Sequence, residues 1–179
     1  MASLSTFIQA VIRVFGSSET RSSPSSRGSR GESSRTSGSG PAGAATVEVD
    51  PRAVGALSIR YAPERDGAPD AGEIVWTWVP YAENDGRGKD RPVLVIARQS
   101  AERVYAVKLT SKAHEGERSF LPIGSGSWDA QGRPSWVDVD QLYSVHERGL
   151  RREAAALDLT RFRVVAAELR RRFGWAVDA

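Results

Sequence analysis

The sequence of 179 residues contains no cysteine and only two histidines, His114 and His146. The lack of cysteine excludes disulfides, thiolate metal sites and cysteine nucleophiles, and nothing else indicates an oxidising compartment. The spacing of the two histidines matches no zinc motif, so we interpret both as solvated side chains. We therefore expect a cytoplasmic protein that acts without a metal or another cofactor.

The sequence also lacks a long apolar run and a strong excess of one charge. The apolar segment LSTFIQAVIRVF is too short to span a bilayer, and Arg13 interrupts it. The formal net charge of +3 permits an anionic partner without requiring one. We therefore predict no stable insertion into a membrane.

The N-terminal part divides into two segments. Residues 1–16 have helical apolar spacing, which predicts a short amphipathic helix that either docks on a partner or membrane surface or is a poorly ordered extension. Residues 17–40 contain no aliphatic or aromatic side chain, so burial cannot offset the entropy cost of ordering them. We predict a disordered linker over residues 17–70, rich in Ser, Arg, Gly and Pro, and a folded domain over residues 71–179.

From residue 71 the sequence pattern indicates β-strands. The runs EIVWTWVP, RPVLVIAR and RVYAVKLT are rich in β-branched and aromatic residues, and shorter candidates lie at residues 119–123, 135–139 and 141–145. A closing helix is indicated by Asp158 or Thr160 as its N-cap and by Gly174 as its C-cap. The fold class expected is mainly β with α (α+β), a small barrel or strongly bent sheet.

Two short motifs contain candidate functional residues. In KDRPVLVI, Pro92 suits the first position of a strand, which leaves Arg91 at the strand mouth, either reaching an anion or simply solvated. In VKLTSK, a strand ends in Thr110, Ser111 and Lys112, whose polar groups either cap a turn or contact a ligand.

Five stretches in this order resemble the MazF/PemK (also called Kid) toxins of type II toxin–antitoxin systems. GEIVW is similar to the family's Gly-Asp-Val strand, KDRPVLVI to its Arg-Pro-Val signature and LTSK to its Thr-Ser-Gln strand end; VDQLYSV and ALDLTRF resemble its Glu-Gln strand and the start of its closing helix. The resemblance covers residues 72–173. The sequence departs from the family pattern at Lys112, which replaces a glutamine, at the aromatic pair Trp76 and Trp78, which we interpret as core residues, and in an acidic loop at residues 82–90.

The resemblance implies a CcdB/PemK/MazF-like, SH3-like barrel of five to seven strands with a C-terminal helix, usually a homodimer. It implies a growth-inhibiting endoribonuclease that cleaves single-stranded RNA at selected sequences without a metal and binds an antitoxin protein. By resemblance, Arg91 and Thr110 are the catalytic pair. We expect Lys89, Ser111, Lys112 and Arg87, which flank them, to bind the substrate.

The residue types agree with cleavage by the RNA's own 2′-hydroxyl. Arg91 would stabilise negative charge on the phosphorane and Thr110 would add a hydrogen bond, while the general base is not assigned. Two alternatives remain. One is a non-catalytic protein-binding module on the same fold, as in the similar CcdB toxins, which bind DNA gyrase. The other is a DNA-binding regulator that has lost catalysis.

Overall fold

The computed structural model describes residues 44–64, 68–81, 83 and 85–178, except for the side chains of residues 152–154. The amphipathic helix predicted for residues 1–16 lies outside the described residues. So do residues 17–43 and 65–67 of the predicted linker.

Short strands dominate the described chain. They are β1 (Val47–Val49), β2 (Ser58–Arg60), β3 (Glu73–Pro80), β4 (Gly88–Arg98), β5 (Arg103–Thr110), β6 (Phe120–Gly124), β7 (Ser135–His146), β8 (Leu150–Ala156) and β9 (Ala176–Asp178). A 3-10 turn over Glu147–Gly149 links β7 to β8, and one helix, α1, spans Leu159–Phe173. The two strand candidates expected at residues 135–139 and 141–145 are one continuous strand, β7.

The strands form one antiparallel sheet in the order β1-β7-β5-β4-β3-β8, with β6 also paired to β7. A separate parallel pair joins β2 to β9. A β-bulge interrupts the β5–β7 register between Val107 and Leu109, and bulges of this kind increase local twist. The predicted fold, mostly β with one C-terminal helix, is confirmed.

Two strands precede the expected start of the domain at residue 71. β1 pairs with β7, and β2 places the fully buried Ile59 in the core. The Thr46 and Thr77 hydroxyls, 2.9 Å apart, hydrogen-bond and join the start of this segment to β3. For residues 44–60 the linker prediction is therefore wrong, because partners far along the chain give these short segments the burial that their own sequence cannot provide.

The sheet is buried on both faces. One face packs against α1, so that Leu94 and Ile96 of β4 share a core with Phe162 of the helix. The other face, which we call the valine face, buries Val75, Val79, Val93, Val95, Val104, Ala106, Tyr143 and Val145. Successive side chains of a strand point to opposite faces, so the pairing register determines which polar side chains join the valine face.

The closing helix begins and ends at the predicted caps. The Asp158 carboxylate accepts a hydrogen bond from the Arg161 N–H at 3.0 Å, and Gly174 has the left-handed conformation, with φ of 74°. Ion pairs within its last two turns join Glu168 to Arg171 and Arg172. Among the described residues, no helix has the length and apolar character needed to cross a membrane.

Candidate active site

Arg91 lies on the valine face near one end of β4. It pairs with the buried Thr77 of β3, between the pairs Val75↔Val93 and Val79↔Lys89. Its side chain is partly buried, and it forms no hydrogen bond or ion pair with any residue that the structure describes. A guanidinium carries five N–H donors in a rigid fork. Those of Arg91 are therefore available to an anion.

The position of Pro92 differs from the expectation. β4 begins at Gly88, so Arg91 and Pro92 lie inside the strand rather than at its mouth. The pairing of β4 with β5 runs from Val93 to Arg98, whereas its pairing with β3 continues back to Gly88. Arg91 and Pro92 therefore lie where β4 has a neighbour on one side only, a location in which a proline breaks no ladder.

Thr110 is the last residue of β5 and is partly buried. The pairing of β4 with β5 ends at Val93↔Lys108, and Arg91 and Thr110 each lie two residues beyond that pair, on the same face of their strands. The Thr110 hydroxyl accepts a hydrogen bond from the Lys112 N–H at 3.1 Å, and its own proton remains available as a donor. The strand register thus brings the two predicted catalytic residues to one face of the sheet.

The predicted substrate-binding residues are divided between the sheet and two loops. Lys89 is exposed on the same side of β4 as Arg91, while Ser111 and Lys112 are exposed just after β5. Arg87 lies in the β3–β4 loop and forms an ion pair with Asp85, with an N···O distance of 2.6 Å. Both partners of this pair are exposed, so the pair opens at little cost when an anion competes for the guanidinium.

Four polar side chains that the sequence analysis did not single out lie on the valine face. Lys108 Nζ is 3.2 Å from a carboxylate oxygen of the buried Asp138 and also donates to Gln141 Oε1. The Tyr143 hydroxyl donates to the same Gln141 oxygen at 3.1 Å. We call these four residues and Arg91 the polar cluster. The sequence did contain one signal for this cluster, because Lys108 lies between two apolar strand residues, Val107 and Leu109.

The electrostatics of Tyr143 connect Arg91 to the other members of the polar cluster. Burial, and then the Glu48 and Asp138 carboxylates, raise the pKa of the Tyr143 hydroxyl, while Arg91 lowers it. The hydroxyl therefore stays protonated and donates the hydrogen bond that holds the Gln141 side chain. Arg91 and Glu48 must both lie close to the Tyr143 ring for their charges to act on it.

A pocket of about 480 Å³ opens between β1 and the β3–β4 hairpin. The residues that line it include Trp78, Tyr81, Glu48 and Thr46. Gly88 lies under Trp78, because a Cβ there would be 2.4 Å from the indole ring. Glu48 lines this pocket and also acts on Tyr143, so the pocket adjoins the polar cluster.

The other residues singled out by the sequence have ordinary roles or lie outside the two cores. Trp76 and Trp78 are partly exposed and belong to neither buried cluster, so their interpretation as core residues is wrong. His114 stacks on Phe120 with ring centroids 3.6 Å apart, and His146 is buried and accepts a hydrogen bond from the Arg148 N–H. The histidines are thus held by local contacts rather than solvated.

Several solved structures are similar to this chain. A chain of the MazE–MazF crystal structure (Form II) from Deinococcus radiodurans is 26% identical, with 59% of this chain and 92% of that chain covered and a TM-score of 0.41. The Mycobacterium tuberculosis toxin MazF-mt6 is 18% identical over 59% and 99% of the two chains, with a TM-score of 0.41. An endoribonuclease from a mycobacterial species is 13% identical over 60% and 94%, with a TM-score of 0.43.

A search of curated proteins gives no match. The family described as "PemK-like, MazF-like toxin of type II toxin-antitoxin system" matches residues 70–173. This range contains β3 to β8, the helix and every residue of the polar cluster. The match covers more than half of the sequence, and the chain belongs to this toxin family.

Proposed function

We propose that this toxin is an endoribonuclease that cleaves single-stranded RNA by attack of the 2′-hydroxyl on the adjacent phosphate. The observation that carries the proposal is Arg91, a partly buried guanidinium without a hydrogen bond or ion pair among the described residues. Desolvating a cation without a partner is unfavourable, so an arginine held in this way suits an anion that arrives from outside. Thr110, which lies like Arg91 two residues beyond the last β4–β5 pair, supplies a hydroxyl donor on the same face.

The chemistry requires alignment and charge stabilisation. As the 2′-oxygen attacks, negative charge develops on the non-bridging phosphate oxygens, and a planar guanidinium binds two such oxygens at once. Thr110 donates its free proton to the same phosphate. Lys89, Ser111 and Lys112 lie beside the pair and bind the flanking phosphates; Arg87 does so after releasing Asp85.

Sequence selectivity is assigned to the pocket beside the polar cluster. Trp78 and Tyr81 supply faces on which an unpaired base stacks, a common form of single-stranded RNA recognition. The Glu48 carboxylate repels phosphate and accepts a hydrogen bond from a base N–H. The pocket volume of about 480 Å³ is within the usual range for small-ligand sites.

The proposed assembly follows the family. We propose that the toxin acts as a homodimer in the cytoplasm and is neutralised by a partner antitoxin protein. Sedimentation of the purified toxin, alone and with the antitoxin, tests both interactions. A toxin that remains monomeric at tens of micromolar would contradict the homodimer.

The decisive experiment incubates purified toxin with a mixed-sequence single-stranded RNA in EDTA and analyses the product ends. We expect 2′,3′-cyclic phosphate and 5′-hydroxyl ends, and no cutting of a DNA of the same sequence, which lacks the nucleophile. RNA with a single 2′-deoxy substitution at the cut site is the matched control and should stay intact. Absence of cutting on every RNA would instead favour a non-catalytic binding module on this fold.

A further inference from the structure

We infer that Lys108 is a further catalytic residue of this toxin, which donates the proton to the 5′-oxygen that leaves when the RNA is cut. The inference rests on the proposed endoribonuclease function. It begins from an ion pair whose place in the sheet requires an explanation. The Lys108 ammonium lies against the Asp138 carboxylate. The side chain of Lys108 is 23% exposed and that of Asp138 is 7% exposed.

The place of Lys108 in the sheet puts it beside the proposed catalytic pair. Lys108 is opposite Val93, so it is a diagonal cross-strand neighbour of Arg91, and such neighbours lie about 7–8 Å apart. It is also two residues before Thr110 on the same side of β5, a separation of about 7 Å at the backbone. In the proposed mechanism the ammonium serves a phosphate that Arg91 and Thr110 hold on this same face.

The contacts of Lys108 fix the ammonium and leave part of it free. An ammonium has three N–H donors. The described residues accept two of them, through Asp138 and Gln141. The third donor is available on a side chain that retains some exposure. Asp138 is the ion-pair partner of Lys108, and Gln141 is itself held by the Tyr143 hydroxyl.

The reaction needs a proton donor that the catalytic pair does not supply. The bond from the 2′-oxygen to phosphorus forms while the bond from phosphorus to the 5′-oxygen breaks, and the departing alkoxide takes up a proton. A guanidinium and an aliphatic hydroxyl are both weaker acids than an ammonium. Lys108 transfers one proton to the 5′-oxygen, solvent water takes the 2′-proton, and water then reprotonates the neutral lysine.

A purely structural role would not require a lysine in this place. A buried ion pair often contributes little net stability compared with apolar residues of similar volume. In the proposed mechanism Asp138, Gln141 and Tyr143 are positioning residues, because they act through Lys108 and not on the RNA. Their contacts explain why one end of an otherwise apolar face contains a charged pair.

The test compares two RNA substrates that differ in one bridging atom. One has the natural 5′-oxygen at the cut site, and the other has sulfur there, since a thiolate leaves without being protonated. The key variant is Lys108→Arg, which keeps the charge opposite Asp138 but replaces an effective acid by a guanidinium. We expect it to cut the oxygen substrate about 10² to 10⁴-fold more slowly than wild type, the usual contribution of general acid catalysis. It should cut the sulfur substrate within about threefold of wild type, if the remaining rate depends on Arg91 and Thr110.

Three further variants of the toxin serve as controls for Lys108→Arg. Arg91→Lys should be slow on both substrates, because charge stabilisation is needed with either leaving atom. Arg163→Met, which removes an exposed cation of α1, should match wild type on both. Lys108→Met/Asp138→Asn removes the ion pair as a unit, and melting curves would show that it folds even if Lys108→Arg does not; it should show the same rescue by sulfur.

Three outcomes would contradict the assignment. Lys108→Arg could cut the oxygen substrate at nearly the wild-type rate, or a folded variant could be slowed equally on both substrates. The third is wild type that cuts the oxygen substrate but not the sulfur one. Wild type that cuts neither RNA would reject the endoribonuclease proposal itself, which is a different result.

Discussion

Two arginine-bearing regions of this toxin use the same side chain in opposite ways. At the end of α1, Arg172 is surrounded by acceptors: it is bonded to Glu168, to Asp140 and to the backbone carbonyl of Arg118. On the valine face, Arg91 has no such partner among the described residues. Both side chains are largely buried within the fold, so exposure does not distinguish them. A cation that already has its partners contributes to stability, whereas one without a partner is available to a ligand.

The largest effect is expected when the guanidinium is replaced by an ammonium at each of the two positions. Arg91→Lys keeps the charge but loses the two-pronged fork, so we expect cleavage to slow about 10² to 10³-fold while the melting temperature stays close to wild type. Arg172→Lys should do the reverse, with a loss of stability of about 1 kcal/mol and normal cleavage. Initial cleavage rates and thermal melts of both proteins check the prediction. A folded Arg91→Lys that cuts normally would remove Arg91 from the mechanism.

A smaller effect is expected at the other member of the proposed catalytic pair. Thr110→Val removes the hydroxyl donor to the phosphate, and we expect cleavage to slow about 10 to 100-fold, less than for Arg91→Lys because a neutral donor contributes less than a charged one. Thr110→Ser keeps the hydroxyl and is the matched control. If serine were as slow as valine, the threonine methyl rather than the hydroxyl would be what matters.

The ion pairs at the end of α1 should make the stability of the protein depend on pH. Hydrogen bonds from Arg171, and then from Arg172, outweigh burial and lower the pKa of Glu168 to about 2. A carboxyl whose pKa is lowered on folding stabilises the protein above its ordinary pKa, and this contribution is lost as the pH falls through the folded value. We therefore expect wild type to lose about 1–2 kcal/mol more than Glu168→Gln between pH 4.5 and pH 2. Urea melts across this range measure it, and parallel curves would contradict it.

The mildest prediction concerns the pocket beside Arg91. Glu48→Gln replaces an acceptor by a mixed donor and acceptor, so we expect the preference among cut sites to change by about three to tenfold with little change in total cutting. Asp50→Asn is the control, because it removes a nearby charge and preserves the side-chain acceptor that bonds the Arg52 N–H. Sequencing of the cut ends from a random RNA pool compares the three proteins. An unchanged preference in Glu48→Gln would separate this pocket from base recognition.

Local signals in the sequence were sufficient for α1 and for the long strands. The caps at Asp158 and Gly174 lie next to the residues they cap, and β4 contains its own run of apolar residues. β1 and β2 could not be found in this way, since three residues acquire the character of a strand only from a partner. The partner of Ile59 is Val177, at the far end of the domain.

The site was predictable to the extent that its residues belong to motifs. Arg91 and Thr110 were chosen by resemblance. Both lie just beyond the last β4–β5 pair, on one face of the sheet, and their roles stay predictions. Lys108 and Asp138 were missed because their contact crosses from β5 to β7, and the bulge beside Lys108 decides which β7 residues face it. No spacing along the sequence encodes that contact.

The parallel pair of β2 and β9 determines when this toxin can finish folding. Ser58 and Asp178, 120 positions apart in the sequence, hydrogen-bond at 2.7 Å, and Ile59 is buried beside them. On the ribosome, β2 is synthesised early and waits for β9, which is synthesised only after every residue of the polar cluster. Contacts of such long separation form late and slowly. The apolar surface around Ile59 therefore stays uncovered at least until β9 has been synthesised.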